Sequence, residues 1–342
     1  MINLLLSLMA CKYHPATDVS EKLKEDTFIA VEPAEETEEE ITEEEQETVE
    51  EETEVVEEEE EEVVESVPLE DFSVTGPYSV SSLLRTTSVT NCSNISFLVY
   101  TPVTAVEPPL VVLGHGFARN VDVMTGWAEH FASWGVEVIL PTLCHYNIWN
   151  GVDHPMNAKN MQELADHHGA TEVVYAGHSA GGLAALIAAS TDVNALGVLG
   201  LDTTDTENTF GVADFLGQTY AANVTSTSFF IRGEPSNCNS NNNGLTLFRM
   251  TPVYRIVKVT DADHCDFENP TDFLCEVSCA NNQPLFTDED IKTTITALST
   301  AAIMSLTGLS EDGAKTWTEE GMSDWLQTGI VQDLEIQISQ LQ

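Results

Sequence analysis

The sequence has few basic residues. Lysine and arginine together number 12, against 57 aspartate and glutamate residues, which leaves a formal net charge of −45 at pH 7. A chain this acidic repels nucleic acid phosphates and anionic lipid surfaces. We therefore expect no nucleic acid partner, and no attachment to a membrane other than through a covalent lipid.

The chain also lacks an apolar run long enough to span a bilayer and shows no internal repeat. Residues 1–11 form a short apolar segment that ends in cysteine and is typical of an export signal. Its ending, Leu8-Met9-Ala10-Cys11, resembles a bacterial lipoprotein signal, in which the cysteine is lipidated after cleavage. This resemblance predicts an exported protein, either anchored in the bacterial cell envelope through Cys11 or extracellular.

Acidic residues are concentrated in the first part of the chain, since 26 of the 57 lie within residues 1–70. From Glu32 to Glu65 the sequence is mostly glutamate and contains no lysine or arginine. Such a segment cannot bury enough apolar surface to offset its conformational entropy. We interpret residues 12–70 as a disordered, extended linker and residues 71–342 as one folded domain, which we expect to be monomeric.

Cysteine is scarce, with seven residues in the whole chain. Setting Cys11 aside leaves an even number, which is compatible with disulfides in an exported protein, although the pairing cannot be read from the sequence. The spacing of Cys265, Cys275 and Cys279 could indicate zinc, but structural zinc sites usually supply closely spaced pairs. We expect disulfides and neither metal nor cofactor. The six cysteines are Cys92, Cys144, Cys238, Cys265, Cys275 and Cys279.

Apolar runs alternate with helical stretches through the folded region, after two strands predicted to form an antiparallel edge. This alternation predicts an α/β fold with a mostly parallel, doubly wound sheet flanked by helices. We expect the tail after the last long helix to add further helix. The predicted strands are Ser79–Thr90, Ile95–Tyr100, Leu110–Leu113, Val136–Leu140, Val173–Ala176, Leu196–Leu201, Ser228–Ile231 and Tyr254–Val259. The predicted helices are Val121–Trp134, Ala158–His168, Gly181–Ser190, Val212–Ala221 and about Asp288–Leu306.

A Gly-x-Ser-x-Gly turn lies between a predicted strand and a predicted helix at Gly177–Gly181. In this context the turn lifts Ser179 above the sheet edge in a strained conformation, and the glycines avoid collisions with neighbouring backbone. The hydroxyl is then exposed to a carbonyl carbon. The pattern predicts that Ser179 is a catalytic nucleophile in an α/β-hydrolase fold.

Two backbone amides are expected to stabilise the oxyanion that such an attack creates. One belongs to Ala180, directly after the nucleophile, and the other to Phe117 in the loop Gly114-His115-Gly116-Phe117 after the first central strand. We expect His115 to support this loop by hydrogen bonding rather than to act as the base.

The base is expected to follow the last central strand, where His264 lies in an Asp-rich loop. Its acid partner is left open by the residues alone, because Asp202 and Glu234 each follow a predicted strand and either could fix the imidazole tautomer. Asp205 is a weaker third candidate.

Several segments resemble the plant and bacterial chlorophyllase-like hydrolases. These are the Gly-His-Gly-Phe loop, the Gly-His-Ser-x-Gly-Gly turn, the Gly200–Asp205 segment, the Cys- and Asn-containing loop Cys238–Gly244, and His264–Phe267, all within roughly residues 110–270. The resemblance implies Asp202 as the acid. The chain departs from the plant enzymes by having Asp202-Thr203 in place of Asp-Pro, so chlorophyll is not implied as substrate. It is more distantly similar to cutinases and polyester hydrolases.

These features predict a serine hydrolase that cleaves small or polymeric carboxylic esters through an acyl-enzyme intermediate. A peptidase or amidase with the same triad is the alternative enzyme, and a non-catalytic surface binding protein is the alternative from another class. Several loop residues could line a substrate pocket or equally cover the sheet. They are His115, Phe117, His145, Tyr146, Trp149, His154 and Phe210.

Overall fold

A computed structural model of the chain describes residues 68–147, 151–206, 215–279 and 285–338. The predictions for Cys11, for nearly all of the linker 12–70, and for Trp149 and Phe210 lie outside the described residues. Among the described residues, no helix is long and apolar enough to cross a membrane.

The described residues form eleven strands, nine of which build one sheet. They are β1 (Val80–Val89), β2 (Cys92–Pro102), β3 (Leu110–Gly114), β4 (Glu137–Pro141), β5 (Tyr146–Asn147), β6 (Gly151–Val152), β7 (Val173–His178), β8 (Ala195–Leu201), β9 (Thr227–Arg232), β10 (Tyr254–Val259) and β11 (Val331–Gln337). The sheet has the order β1-β2-β4-β3-β7-β8-β9-β10-β11, while β5 and β6 pair only with each other. Strands β4 through β10 of that order run parallel, and β1, β2 and β11 pair antiparallel at the two edges.

Helices cover both faces of the sheet. They are α1 (Thr125–Ser133), α2 (His154–His168), α3 (Ala180–Thr191), α4 (Gln218–Ala221), α5 (Gly244–Arg249), α6 (Phe273–Cys279), α7 (Asp288–Thr307), α8 (Glu311–Thr316) and α9 (Ser323–Thr328). Successive side chains of a strand point to opposite faces. In β3, Val111 and Leu113 therefore pack with α1 and α7, whereas Leu110 and Val112 pack with α2 and α3. The predicted α/β class with a mostly parallel sheet and flanking helices is confirmed.

The strand order reverses at the centre of the sheet. Strand β4, which follows β3 in the chain, pairs on one side of it, and β7 pairs on the other. In open α/β sheets, such a switch point leaves a crevice outside the carboxyl ends of the two central strands, where ligands bind. The loops after β3 and β7 meet there, and these loops carry the predicted oxyanion residue and the predicted nucleophile.

The structure corrects three parts of the predicted element order. The chain after α7 does contribute helices α8 and α9, but its Ile-rich end is strand β11, which pairs with β10 at an otherwise open edge. The helix predicted over Val212–Ala221 begins only at Gln218 within the described residues. The polar loop after β9 contains the short helix α5, whose Leu247 and Phe248 are buried.

Candidate active site

Ser179 lies in a strained turn between β7 and α3. Its backbone has φ 55° and ψ −122°, and its amide donates to Leu201 O at 2.9 Å. A Cβ atom on Gly177 would lie 2.4 Å from Gly181 C, and one on Gly181 would lie 2.4 Å from Gly114 O. Real Cβ atoms do not approach backbone that closely, so the Gly-x-Ser-x-Gly spacing is required by the packing of the turn against β3. The strain is of the kind that concentrates at functional sites.

The loop after β3 passes directly over Ser179. A Cβ atom on Gly116 would lie only 3.4 Å from Ser179 Cβ. His115 is buried beneath this loop and uses both ring nitrogens, with Nδ1 2.8 Å from Gly116 O and Nε2 accepting from Leu143 N at 3.0 Å. Burial lowers the pKa of His115 to about 4. The imidazole is therefore neutral, with the proton on Nδ1, and it braces the loop.

His264 and Asp202 form a short, buried contact. The distance from His264 Nδ1 to Asp202 Oδ2 is 2.6 Å, and the two residues are 7% and 0% exposed. Asp202 follows β8 directly and has a positive φ of 41°. This contact fixes the His264 tautomer that keeps Nε2 free to accept a proton.

Asp202 is held by more than the histidine. Its Oδ1 accepts from Gly233 N at 3.0 Å, and Asn239 Nδ2 lies 3.3 Å from Oδ1 and 3.1 Å from Oδ2. Asn239 is fully buried and also donates to Glu234 O at 2.8 Å. The role of Asn239 was not predicted, although it lies in the Cys- and Asn-containing loop on which the family resemblance partly depends.

Glu234, the alternative acid, does not contact His264 in this structure. Its carboxylate lies 3.1 Å from Lys258 Nζ and accepts from Asp261 N at 3.3 Å. The side chain is 31% exposed, in contrast to the buried Asp202. The structure thus places Asp202, and not Glu234, against the predicted base.

The ring of His264 lies beside His178, the residue before the predicted nucleophile, with 4.5 Å between ring centroids. Within the described part of the chain, no hydrogen bond joins Ser179 Oγ to His264. Hydrogen bonds of this kind are often long in the absence of substrate and tighten when it binds. His178 itself is fully buried and has a strongly lowered pKa because of that burial, so it stays neutral.

A cavity opens beside Ser179 at the carboxyl edge of the sheet. Both predicted oxyanion residues line it, as does His154. Among the described residues, His115 and Tyr146 are not part of its lining. The first-turn amides of a helix lack partners within it, so the Ala180 N–H at the start of α3 is available to an anion. The residues that line the cavity are Phe117, Val152, His154, Ser179, Ala180, Thr204, Thr206, Asn237, Cys238 and Ser240.

Tyr146 and His154 form a buried support for the Ala180 peptide. The Tyr146 hydroxyl donates to Ala180 O and lies 3.0 Å from His154 Nδ1, while His154 Nε2 lies 3.1 Å from Thr206 Oγ1. Because the tyrosine proton is used on Ala180 O, His154 Nδ1 is the donor to Tyr146. Burial lowers the pKa of His154 to about 4, which keeps the ring neutral.

Asp205, the third acid candidate, forms no hydrogen bond with His264 among the described residues. Its Oδ1 accepts from Gly217 N at 2.7 Å, and its Oδ2 has no partner among the described residues. Burial raises the pKa of Asp205 to about 6. Its neighbours Thr204 and Thr206 line the cavity, but Asp205 does not.

Three disulfides lie at the carboxyl edge of the sheet. They are Cys92–Cys144, Cys238–Cys279 and Cys265–Cys275. The last two tie the loop that contains Asn239 and the loop that contains His264 to the same helix, α6. The sulfurs of Cys265, Cys275 and Cys279 lie within 4.8 Å of one another, which is close enough to hold a metal ion, but each is used in a disulfide. These bonds fit an extracellular or exported protein.

The arrangement can support nucleophilic attack on a carbonyl group. It combines a serine on a strained turn that lines a cavity, an imidazole oriented by a buried carboxylate, and a helix N-terminus beside the cavity. A scan against protein-family models and a search of curated proteins both found no match to this chain.

Proposed function

We propose that this protein is a serine hydrolase of the α/β-hydrolase fold that cleaves carboxylic esters, with Ser179 as nucleophile, His264 as base and Asp202 as acid. The observation that carries the proposal is the 2.6 Å contact between His264 Nδ1 and Asp202 Oδ2 beside the strained turn of Ser179. The chain order Ser, Asp, His and the position of the nucleophile after a central parallel strand are typical of this fold.

The reaction proceeds by acyl transfer in two steps. His264 Nε2 takes the proton of Ser179 Oγ, which attacks the ester carbonyl, and the amides of Ala180 and Phe117 donate to the oxyanion. The leaving alcohol takes the proton from His264. A water molecule, deprotonated by the same imidazole, then attacks the acyl-enzyme, and the acid is released as the imidazolium returns that proton to Ser179 Oγ. Asp202 stabilises the imidazolium at each stage.

The motifs shared with chlorophyllase-like hydrolases, and more distantly with cutinases, support a small or polymeric ester as substrate. We also propose that the protein is exported, either anchored in the bacterial cell envelope through lipidated Cys11 or extracellular. The three disulfides support an oxidising location. In the anchored form, the acidic linker would hold the catalytic domain away from an anionic membrane.

The proposal is tested by measuring hydrolysis of p-nitrophenyl esters of increasing acyl length by the full chain and by Ser179→Ala. Loss of the nucleophile should lower kcat at least about 1,000-fold, because its removal leaves only binding and the oxyanion donors. Ser190→Ala is the matched control, since Ser190 lies on α3 and its Oγ donates only to Ile187 O at 2.7 Å.

Each outcome assigns the protein to a class. Equal ester hydrolysis by Ser179→Ala and wild type would contradict the mechanism. Labelling of Ser179 by a fluorophosphonate together with turnover of a peptide anilide but not of esters would identify a peptidase or amidase. No labelling and no turnover would favour a non-catalytic binding protein.

A further inference from the structure

Arg119 lies two residues after Phe117 and forms an ion pair that the proposed chemistry does not use. Its Nε lies 2.6 Å from Glu268 Oε1, and its Nη2 lies 2.7 Å from Glu268 Oε2. Nη2 also lies 2.8 Å from Asp272 Oδ1. The Glu268 side chain is 1% exposed. Two parallel charge-assisted hydrogen bonds of this kind fix orientation as well as distance.

The pair connects two loops that approach the site from different strands. Arg119 belongs to the loop after β3, which carries Phe117, and Glu268 belongs to the loop after β10, which carries His264. These loops are more than 100 residues apart in the sequence, and no disulfide joins them. A backbone hydrogen bond joins them further along, where Asn269 N donates to Val123 O at 2.7 Å. Among the described residues, the Arg119–Glu268 pair is the bidentate side-chain contact between the two loops.

The segment that carries Glu268 is also attached to helices α1 and α7. Trp127 Nε1 donates to Phe267 O at 2.9 Å, and Lys292 Nζ donates to Asp266 O at 2.9 Å and to Glu268 O. The backbone after β10 is therefore fixed to α1 and α7. The Glu268 carboxylate takes no part in these bonds and pairs with Arg119 of the loop after β3.

This attachment makes the two partners of the pair unequal. Because α1 and α7 hold the backbone around Glu268, the Glu268 carboxylate is a fixed point to which Arg119 binds. Burial raises the pKa of Glu268 against the opposing effect of Arg119, so the carboxylate has a large penalty for being left without its partner. Within the described residues, the loop after β3 has no disulfide of its own, and its His115 and Arg119 side chains connect it to Leu143 and to Glu268 and Asp272.

We propose that Arg119 is a positioning residue that, through Glu268, keeps the oxyanion donor Phe117 in register with the base His264. The inference rests on the proposed function, because it concerns the alignment of two groups in the same reaction. A displacement of about 1 Å in such a group can lower the rate of the chemical step about 100-fold. The oxyanion forms only during the reaction, so misalignment of its donor should lower kcat more than it changes KM.

The test compares the full chain with Arg119→Gln, Glu268→Gln and the double variant, using steady-state hydrolysis of a p-nitrophenyl ester and thermal unfolding. The single variants should lower kcat about 10- to 100-fold and change KM less than about 3-fold. Arg119→Lys should recover only part of kcat, because an ammonium cannot reproduce the two-point fork. Arg249→Gln is the matched control, since Arg249 forms an equally bidentate pair with Glu335 on an exposed surface at the amino edge.

The double variant separates positioning from simple charge burial. It removes both charges, so its unfolding temperature should return towards that of wild type, as expected when no buried charge is left unpaired. Its kcat should stay low if the fork positions the loops. Recovery of kcat together with stability in the double variant would overturn the proposal, as would single variants whose kcat equals that of Arg249→Gln.

A second readout does not depend on the choice of ester. The proton between His264 Nδ1 and Asp202 Oδ2 should give a far-downfield ¹H NMR signal, which Asp202→Asn should remove and the Arg249→Gln control should retain. Arg119→Gln should keep this signal while kcat falls, because α1 and α7 hold the segment that carries His264 without Arg119 and the substitution releases the loop that carries Phe117. Loss of the signal in Arg119→Gln would contradict the proposal, since the base itself would then be displaced. Wild type that shows the signal but hydrolyses no ester would instead contradict the proposed function.

Discussion

The turns at the two edges of the central sheet use different residue types at positions with positive φ. At the amino edge, the turns into β4 and β7 pass through Gly135 and Gly169, with φ values of 99° and 81°. At the carboxyl edge, the turns after β7, β8 and β10 place Ser179, Asp202 and Asp261 at φ values of 55°, 41° and 64°. Glycine adopts positive φ without steric cost, whereas residues with a Cβ do so under strain.

The difference indicates where side chains are needed. A turn that only connects two elements can use glycine, and Gly169 faces open space. The turns at the carboxyl edge accept strain to present a hydroxyl and a carboxylate at fixed positions. The loop into β3 at the amino edge is an exception, since Thr104 and Glu107 also have positive φ there. Substitutions at the two edges test whether strain at the carboxyl edge serves chemistry.

The largest expected effect comes from Asp202→Asn. Asparagine tolerates positive φ, so the substitution removes the carboxylate without adding backbone strain. We expect kcat for ester hydrolysis to fall about 10,000-fold, because the histidine then loses its tautomer and the support for its charged form. The measurement is steady-state hydrolysis of a p-nitrophenyl ester, with circular dichroism to verify the fold.

Glu234→Gln is the control at the next strand end. Its carboxylate is bound to Lys258 and to the Asp261 amide, and within the described residues Glu234 forms no hydrogen bond with His264 and does not line the cavity. The pair is partly exposed, so its loss should cost at most about 1 kcal/mol of stability and change kcat less than about 3-fold. A collapse of kcat in Glu234→Gln with activity retained in Asp202→Asn would reverse the assignment of the acid.

An intermediate effect on stability should come from alanine at two glycines, one from each edge. In Gly181→Ala, the new Cβ would lie 2.4 Å from the backbone of Gly114, and moving that backbone to relieve the clash costs free energy. We expect a loss of about 3 kcal/mol in the free energy of unfolding, together with loss of activity. In Gly169→Ala, nothing lies within 4 Å of the new Cβ, and only the positive φ costs about 1 kcal/mol.

Urea denaturation measures both variants under the same conditions. The comparison of edges would fail if Gly169→Ala were as destabilised as Gly181→Ala, because the cost would then come from the lost conformational freedom of glycine at either place. Equal activity of Gly181→Ala and wild type would show that the close approach of α3 to β3 does not position Ser179.

The parallel sheet was predictable because its strands are short apolar runs separated by helical stretches. The edge strand β11 was not, because Gln332, Asp333 and Glu335 interrupt its apolar residues and an edge strand is covered on one side only. The pairing of β11 with β10 depends on a partner more than 70 residues away, which local periodicity cannot show.

In the site, too, some residues were predictable from local sequence and others were not. Ser179 and the loop at Gly116 follow local spacing rules and were recognisable as patterns. The residues alone left Asp202 and Glu234 open, because two strand ends offered a carboxylate; the family resemblance implied Asp202, and the tertiary contact with His264 separates them in the structure. Asn239 and Arg119 act through contacts across 37 and 149 residues of sequence, and their local sequence contains no signal for either contact.

The smallest expected effect concerns Asp205, a buried carboxyl group beside the cavity wall whose Oδ2 has no partner among the described residues. Its raised pKa, about 6, means that the folded state disfavours the charged form. The resulting cost to stability is full above about pH 6, shrinks as pH falls towards the unfolded value, and is absent below it. Asp205→Asn should therefore raise the free energy of unfolding by about 1 kcal/mol at neutral pH, with no gain below about pH 4.

Urea denaturation across this pH range measures the difference between the two proteins. Ester hydrolysis by the variant should stay close to wild type, and a loss comparable to that of Asp202→Asn would show that this buried charge also serves the reaction.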